Sequence, residues 1–225
     1  MTDCDPSPNH ASSAGASPSG VDDLRQVLDP PSVDPELDDP EHGADKRRAA
    51  VAAVFSPGPT DIELLFIQRA TKASDPWSGQ MAFPGGRAEP ADLNSWSTAE
   101  RETAEELALD LSPATRLGSL SDLDGGRANG RFVWVSAHGY WLPRTDGPAA
   151  RPALRPNHEV ADAVWVPLST LADASRFIDY DYPPAAATFP GIQLDRDGQV
   201  IWGLTLRLLA DLFARLDRPF IELPN

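Results

Sequence analysis

The sequence predicts an α/β fold: a mixed β-sheet sandwiched between helices and preceded by an acidic tail. Three observations predict it. Apolar runs of strand length are interleaved with stretches of helical period. Clusters of Pro and Gly punctuate the boundaries between them. The first 43 residues, finally, differ in composition from everything that follows. The 225-residue chain is 41% hydrophobic, enough for one sizeable core.

Residues 1–43 hold seven prolines and few large apolar side chains. Such a segment buries too little surface to offset its ordering entropy, so it is expected to be disordered, with the folded domain running from 44 to 225. One short helix near Val21–Leu28 is compatible with the pattern, because Val21, Leu24 and Leu28 share a face. The tail is otherwise expected to be solvating sequence whose deletion leaves activity and melting temperature nearly unchanged. Ala49–Phe55 and Glu63–Gln68 read as strands of a hairpin around Pro57-Gly58-Pro59. Gln80–Phe83 is a short strand ending in a flexible Pro84-Gly85-Gly86 loop, and Ser97–Leu107 is a helix. Leu117–Leu123 and Arg131–Leu142 read as strands joined by a turn at Asp124-Gly125-Gly126-Arg127. Val160–Val166 is a strand followed by a short helix near Leu168–Ala172, and Val200–Leu216 is an amphipathic helix.

Charge narrows the function classes. Of the net −15, residues 1–45 supply −10, from eleven acidic residues against Arg25 alone. An acidic chain without a basic stripe is a poor non-specific ligand for nucleic acid, so no nucleic-acid partner is expected. The lone cysteine, Cys4, leaves neither an intrachain disulfide nor a cysteine metal site, which fits a reducing, cytoplasmic setting. The first residues carry no apolar stretch of signal-peptide type, and no 18-residue apolar run exists for a membrane span. The oligomeric state is open, a homodimer included.

The chemistry concentrates in Phe83-Pro84-Gly85-Gly86-Arg87 and in Arg101-Glu102-Thr103-Ala104-Glu105-Glu106. Ser97 and Glu100 have the spacing of a capping box. Glu102, Glu105 and Glu106 stand at i, i+3 and i+4, so their carboxylates project from one helical face, while Ala99, Thr103 and Leu107 form a stripe for packing. Like charges so placed repel, and a divalent cation relieves that repulsion. Mg²⁺ prefers oxygen ligands and retains waters, leaving room for substrate phosphate oxygens. Glycine at 86 lets backbone approach the carboxylates, with its carbonyl as a further hard donor.

The stretch Gly86–Leu109 resembles the signature of the Nudix hydrolases, through Gly86 and Arg101-Glu102-x-x-Glu105-Glu106. Asp92 stands for the acidic spacer residue, the spacer before Arg101 is one residue longer than usual, and Ala108 replaces a glycine. The resemblance implies a Nudix-type α/β/α sandwich that hydrolyses a nucleoside diphosphate linked to another moiety, with Mg²⁺ or Mn²⁺ as cofactor. It implies Gly86, Glu102, Glu105 and Glu106 as metal ligands and Arg101 as the ion-pair partner that holds a glutamate in place. Glu105 or a loop carboxylate, Glu159, is the candidate general base.

A second resemblance concerns the substrate. Leu65–Ala70, Gly79–Gly86 and Ile201–Thr205 are similar to stretches that mark a coenzyme A diphosphatase branch of the family, though Ile67 and Ser74 stand where that branch has Thr and Arg. It implies coenzyme A or a derivative as the small-molecule substrate. Arg69 and Arg87 are candidate phosphate contacts, and Trp77, with Tyr180 and Tyr182, a candidate lining of a base- or pantetheine-binding cleft. Residues 179–184 are a candidate cover for the site. ADP-ribose, sugar nucleotides, dinucleotides and damaged nucleoside triphosphates are the alternative substrates. A non-catalytic nucleotide sensor is the reading of another class; the retention of all three carboxylates favours an enzyme.

Overall fold

The computed structural model describes residues 20–30, 46–72, 78–128, 131–144, 151–182, 186–196, 198–221 and 223. Its centre is strand β1 (Lys46–Pro57), whose side chains alternate between two cores. Ala50, Ala52 and Val54 enter one, and Ala53 and Phe55 enter the other. Strand β2 (Ile62–Arg69) does the same, with Leu65 and Ile67 opposite Leu64 and Phe66. A period of two with apolar residues on both faces requires a sheet covered on both sides.

The remaining strands of this eight-stranded mixed sheet are β3 (Met81–Ala82), β4 (Gly85–Arg87), β5 (Thr115–Ser119), β6 (Leu123–Ala128), β7 (Arg131–Trp141) and β8 (Val160–Pro167). The main path runs β3-β2-β1-β7-β5, with β4 paired to β1, β6 to β7 and β8 to β2. Only β1 and β7 pair in parallel among these, from Lys46↔Phe132 to Phe55↔Trp141. One face is covered by helix α2 (Ser95–Leu107), through Trp96, Ala99 and Leu107. The other is covered by α1 (Val21–Val27), α3 (Leu168–Leu171) and α4 (Gly203–Arg215). The architecture is the expected α/β/α sandwich.

The structure corrects several local expectations. Residues 20–30, inside the segment expected as a tail, are folded: Leu24 and Leu28 are buried in the core, and Asp29 forms a bridge with Ser119. The apolar face of the short helix outweighs the polar composition around it; the rest of 1–43 lies outside the described residues. Asp124-Gly125-Gly126-Arg127 is no turn but an irregularity within β6, where the register against β7 shifts. Val200–Trp202 is a strand, β11, and not the first turn of the C-terminal helix. It completes a second, three-stranded sheet with β9 (Phe177–Tyr182) and β10 (Ala187–Gln193), which the sequence reading missed. Tyr180, Tyr182 and Phe189 pack on Trp202, at ring-centroid distances of 5.3, 4.6 and 5.2 Å. The two tyrosines therefore serve the packing of this sheet rather than an open loop.

Candidate active site

Helix α2 is fixed at both ends before its carboxylates matter. Asn94 is the N-cap: its Oδ1 accepts from the Ser97 amide and Ser97 Oγ accepts from the Asn94 amide, each at 2.9 Å. This is a capping box one turn earlier than Ser97 and Glu100 suggested, and Glu100 instead accepts from Arg116 at 2.8 and 2.9 Å. His138, buried between Ser95 Oγ (2.8 Å) and Ser119 Oγ (2.9 Å) and stacked on Trp96, anchors the first turn. Burial, with the charge of Arg116, pushes its imidazole down to about 3, so it stays neutral. The helix ends at Ala108 with φ 50°, the left-handed conformation that a glycine takes without strain. Its last carbonyls accept from the following loop: Leu107 from the Arg155 amide (2.8 Å), Glu106 from the Asn157 amide (2.8 Å) and Glu105 from Asn157 Nδ2 (3.0 Å).

Against this helix lies β4, held antiparallel to β1 by Ala50↔Gly86 and Val51↔Gly85. Pro84-Gly85-Gly86 thus leads into a strand and not into the flexible loop expected. Gly85 has φ 152°, and a Cβ there would stand 2.4 Å from the Ala50 carbonyl oxygen. At Gly86 a Cβ would stand 2.5 Å from the Glu102 carboxylate, so the carboxylate occupies the notch the missing side chain leaves. Glu106 is 3% exposed and accepts one hydrogen bond from the Gly85 amide, at 2.9 Å. Burial pushes its carboxyl up to about 7, against the Gly85 amide and the charge of Arg69, with Glu102 and Glu159 adding to the rise. Burial also raises Glu102, opposed mainly by Arg101. Glu105 differs: its side chain is 58% exposed. The three glutamates share a helical face but not an environment.

Arg101 gathers the surrounding acids. Its Nε and Nη2 hold Asp92 in a two-pronged pair at 2.9 and 3.0 Å, Nη2 also donates to the Arg87 carbonyl at 2.8 Å, and Nη1 reaches Glu102 at 3.1 Å and Glu105 at 3.4 Å. Asp92 accepts further bonds from the Glu89 amide and Thr98 Oγ1, and the hydrogen bond from Arg101 leads those that hold its carboxyl below the usual range. The Asp92 side chain is held toward Arg101 by a local turn in which Asp92 and Glu89 exchange hydrogen bonds, the Asp92 amide donating to the Glu89 carbonyl and the Glu89 amide to the Asp92 carboxylate. The residue between Gly86 and the helix is therefore a clamp that ties loop, β4 and α2 together.

Comparison with known proteins shows the family. The NUDIX domain family model matches residues 45–186. The chain belongs to the Nudix hydrolase family. It is 34% identical over 173 residues to the uncharacterized Nudix hydrolase NudL of Yersinia pestis (strain Pestoides F), covering 75% of this chain and 79% of the relative. The same figures hold for the Yersinia pseudotuberculosis NudL of serotype O:1b. A MutT/nudix family protein from Enterococcus faecalis shares the fold at TM-score 0.52 and 13% identity, covering 76% of this chain and 62% of its own. As a Nudix hydrolase, the protein is a hydrolase acting on phosphorus-containing anhydrides.

Around this Nudix helix the other candidates fall unevenly. Glu159 lies beyond the capping loop, its amide donating to Asn157 Oδ1 (2.7 Å) and its carbonyl accepting from the Ala70 amide (2.8 Å). Its carboxylate pairs with Lys72 at 2.6 Å, which holds its pKa below the usual value. Arg69, at the end of β2, acts electrostatically on both Glu106 and Glu159. The Arg87 side chain is exposed, while its carbonyl serves Arg101. Trp77 lies outside the described residues. Lys72 and Asn157 were missed by the sequence reading, for they lie outside the signature, and only folding brings Lys72 to Glu159 and Asn157 to the end of α2.

Among the described residues no three acidic, His or Cys side chains converge to hold a cation. Glu102 and Glu105 are drawn toward Arg101, and Glu106 toward the Gly85 amide. The donor set nevertheless fits a hard divalent cation. Glu106 is a buried carboxylate whose charge is not balanced by its single amide bond, and the Glu102 carboxylate sits against the Gly86 backbone in the notch left by the missing side chain.

Proposed function

We propose that this protein is a divalent-metal-dependent diphosphatase that cleaves the diphosphate bridge of a nucleoside diphosphate linked to another moiety, with coenzyme A or a derivative as substrate. The observation that carries the reading is the buried Glu106 carboxylate, bonded to the Gly85 amide beside Glu102 in the Gly86 notch. Glu102, Glu105 and Glu106, with the Gly86 carbonyl, would hold Mg²⁺ or Mn²⁺. When bound, such an ion neutralises charge on phosphoryl oxygens and lowers the pKa of water.

The remaining steps belong to the chain. Arg101 keeps Glu102 oriented and is itself fixed by Asp92. Arg69, Arg87 and Trp77 bind the substrate, the two arginines at phosphate oxygens. Glu159 takes the proton of the attacking water as its oxygen bonds to phosphorus; the bridging P–O bond breaks, and its electron pair leaves with the departing phosphate. The choice of coenzyme A is supported by Leu65–Ala70 and Gly79–Gly86, whose strands β2 and β3 pair beside the site at Ile67↔Ala82 and Gln68↔Met81.

Incubation of the protein with Mg²⁺ or Mn²⁺ and coenzyme A, ADP-ribose, NADH, diadenosine polyphosphates and nucleoside triphosphates tests the reading. The expected result is release of 3′,5′-ADP and phosphopantetheine from coenzyme A, at the highest kcat/KM of the panel. Preference for another member would overturn the substrate, and absence of turnover of every member would overturn the diphosphatase.

A further inference from the structure

The pair Lys72–Glu159 is held in an unusual way. The backbones of both residues are tied down. The Lys72 amide donates to Ser78 Oγ at 2.7 Å; Glu159 is fixed through Asn157 and Ala70. Their side chains remain 42% and 46% exposed. His158 Nε2 stands 3.9 Å from the same Glu159 oxygen, and the charge of Arg69 acts on it as well. Two cationic side chains, Lys72 and Arg69, therefore act on one carboxylate at the edge of a site rich in acids.

Two comparisons decide what such a pair does. An exposed ion pair stabilises weakly, so either partner is readily taken by a better one. A phosphoryl oxygen of a diphosphate is a better one, accepting strong charge-assisted hydrogen bonds from an ammonium. Glu159, for its part, has one carboxylate oxygen engaged by Lys72, and the ammonium charge makes the carboxylate a weaker proton acceptor.

We propose that Lys72 is a substrate-binding residue for a phosphoryl oxygen of the diphosphate, and that it binds by exchange, leaving Glu159 as the phosphate arrives. Glu159 thus keeps Lys72 in reserve while the site is empty, and substrate binding itself relieves Glu159 of the charge that weakens it as a proton acceptor. The proposal rests on the diphosphatase reading for its substrate, but its test needs no turnover.

The test is a double-mutant cycle read by isothermal titration calorimetry, with inorganic pyrophosphate titrated into the full chain at fixed Mg²⁺. Lys72→Met should weaken binding about tenfold, the loss of one charge-assisted hydrogen bond. Glu159→Gln should tighten it about threefold by releasing Lys72. In the Lys72→Met background, Glu159→Gln should add nothing. Wild-type affinity in Lys72→Met would overturn the proposal. So would equal tightening by Glu159→Gln in both backgrounds, the mark of through-space repulsion without exchange, and so would failure of the wild-type chain to bind pyrophosphate. A chain that shows the expected cycle yet hydrolyses no diphosphate would leave the exchange standing and refute only the diphosphatase.

Discussion

Helices α1 and α2 lie on opposite faces of one sheet, and different physics holds each in place. The thirteen residues of α2 carry their own start signal in Asn94 and Ser97 and a packing stripe at helical spacing. The seven residues of α1 have no side-chain cap, and a helix that short does not stand alone in water. It is held by burial of Leu24 and Leu28 and by Arg215, which reaches the Val27 carbonyl at 3.2 Å and Asp29 at 3.0 Å. The contrast teaches that a segment's composition does not decide its fate when a few well-spaced apolar residues find a core. It also separates function from stability: α2 presents the chemistry, and α1 closes the far side.

That division can be broken at three points. The largest effect is expected at Glu106. Glu106→Gln should lower kcat/KM by more than the ~10–100-fold typical of residues that only orient metal ligands. It should not unfold the protein. The folded carboxyl titrates near 7 against an ordinary 4.5, so the folded state favours its protonated form. Its stability contribution is present below the ordinary value and is lost as pH rises through about 7, on the order of 3 kcal/mol. In EDTA the wild-type melting temperature should therefore fall between pH 5 and 8 more steeply than that of Glu106→Gln. Parallel slopes would contradict the burial argument, and retained activity would remove Glu106 from the site.

The second point is on the other face. Leu24→Ala should cost about 2–5 kcal/mol in urea unfolding, as for large-to-small changes in a packed core. Its kcat/KM under folding conditions should stay within about twofold of wild type. A loss of stability below 1 kcal/mol would return α1 to the status of solvating tail.

The smallest effect is at the end of α2. Ala108 takes φ 50°, so Ala108→Gly should raise stability by about 1 kcal/mol, read as a higher melting temperature with unchanged activity. A lower melting temperature would mean that the alanine methyl packs more than it strains.

The legible parts of the molecule were those with local causes. The short apolar runs in Ala49–Phe55 and Glu63–Gln68 marked two strands, and the stripe Ala99, Thr103, Leu107 marked the packed side of α2, all three residues being buried. The start of α2 was misplaced because Asn94-x-x-Ser97 and Ser97-x-x-Glu100 satisfy the same spacing, and only the position of Arg116 on β5 draws Glu100 away. Strands β9 and β10 were missed although they are neighbours in the chain, because Asp179, Asp181, Pro183, Pro184 and Pro190 break up their apolar pattern, and β11 was absorbed into the helix because Val200, Ile201 and Trp202 extend its apolar run.

The candidate site divides in the same way. By itself the sequence determined which residues share a helical face, Glu102, Glu105 and Glu106, that Arg101 stands beside them, and that Gly86 permits a close approach, because helical spacing and a missing Cβ are properties of the chain. Only the tertiary structure decided that Glu106 is buried against the Gly85 amide while Glu105 faces water, and that Lys72 meets Glu159. The reason is that burial and charge depend on which distant segments cover a residue. Three carboxylates equivalent in spacing become distinct once β4 lies over one of them and solvent over another.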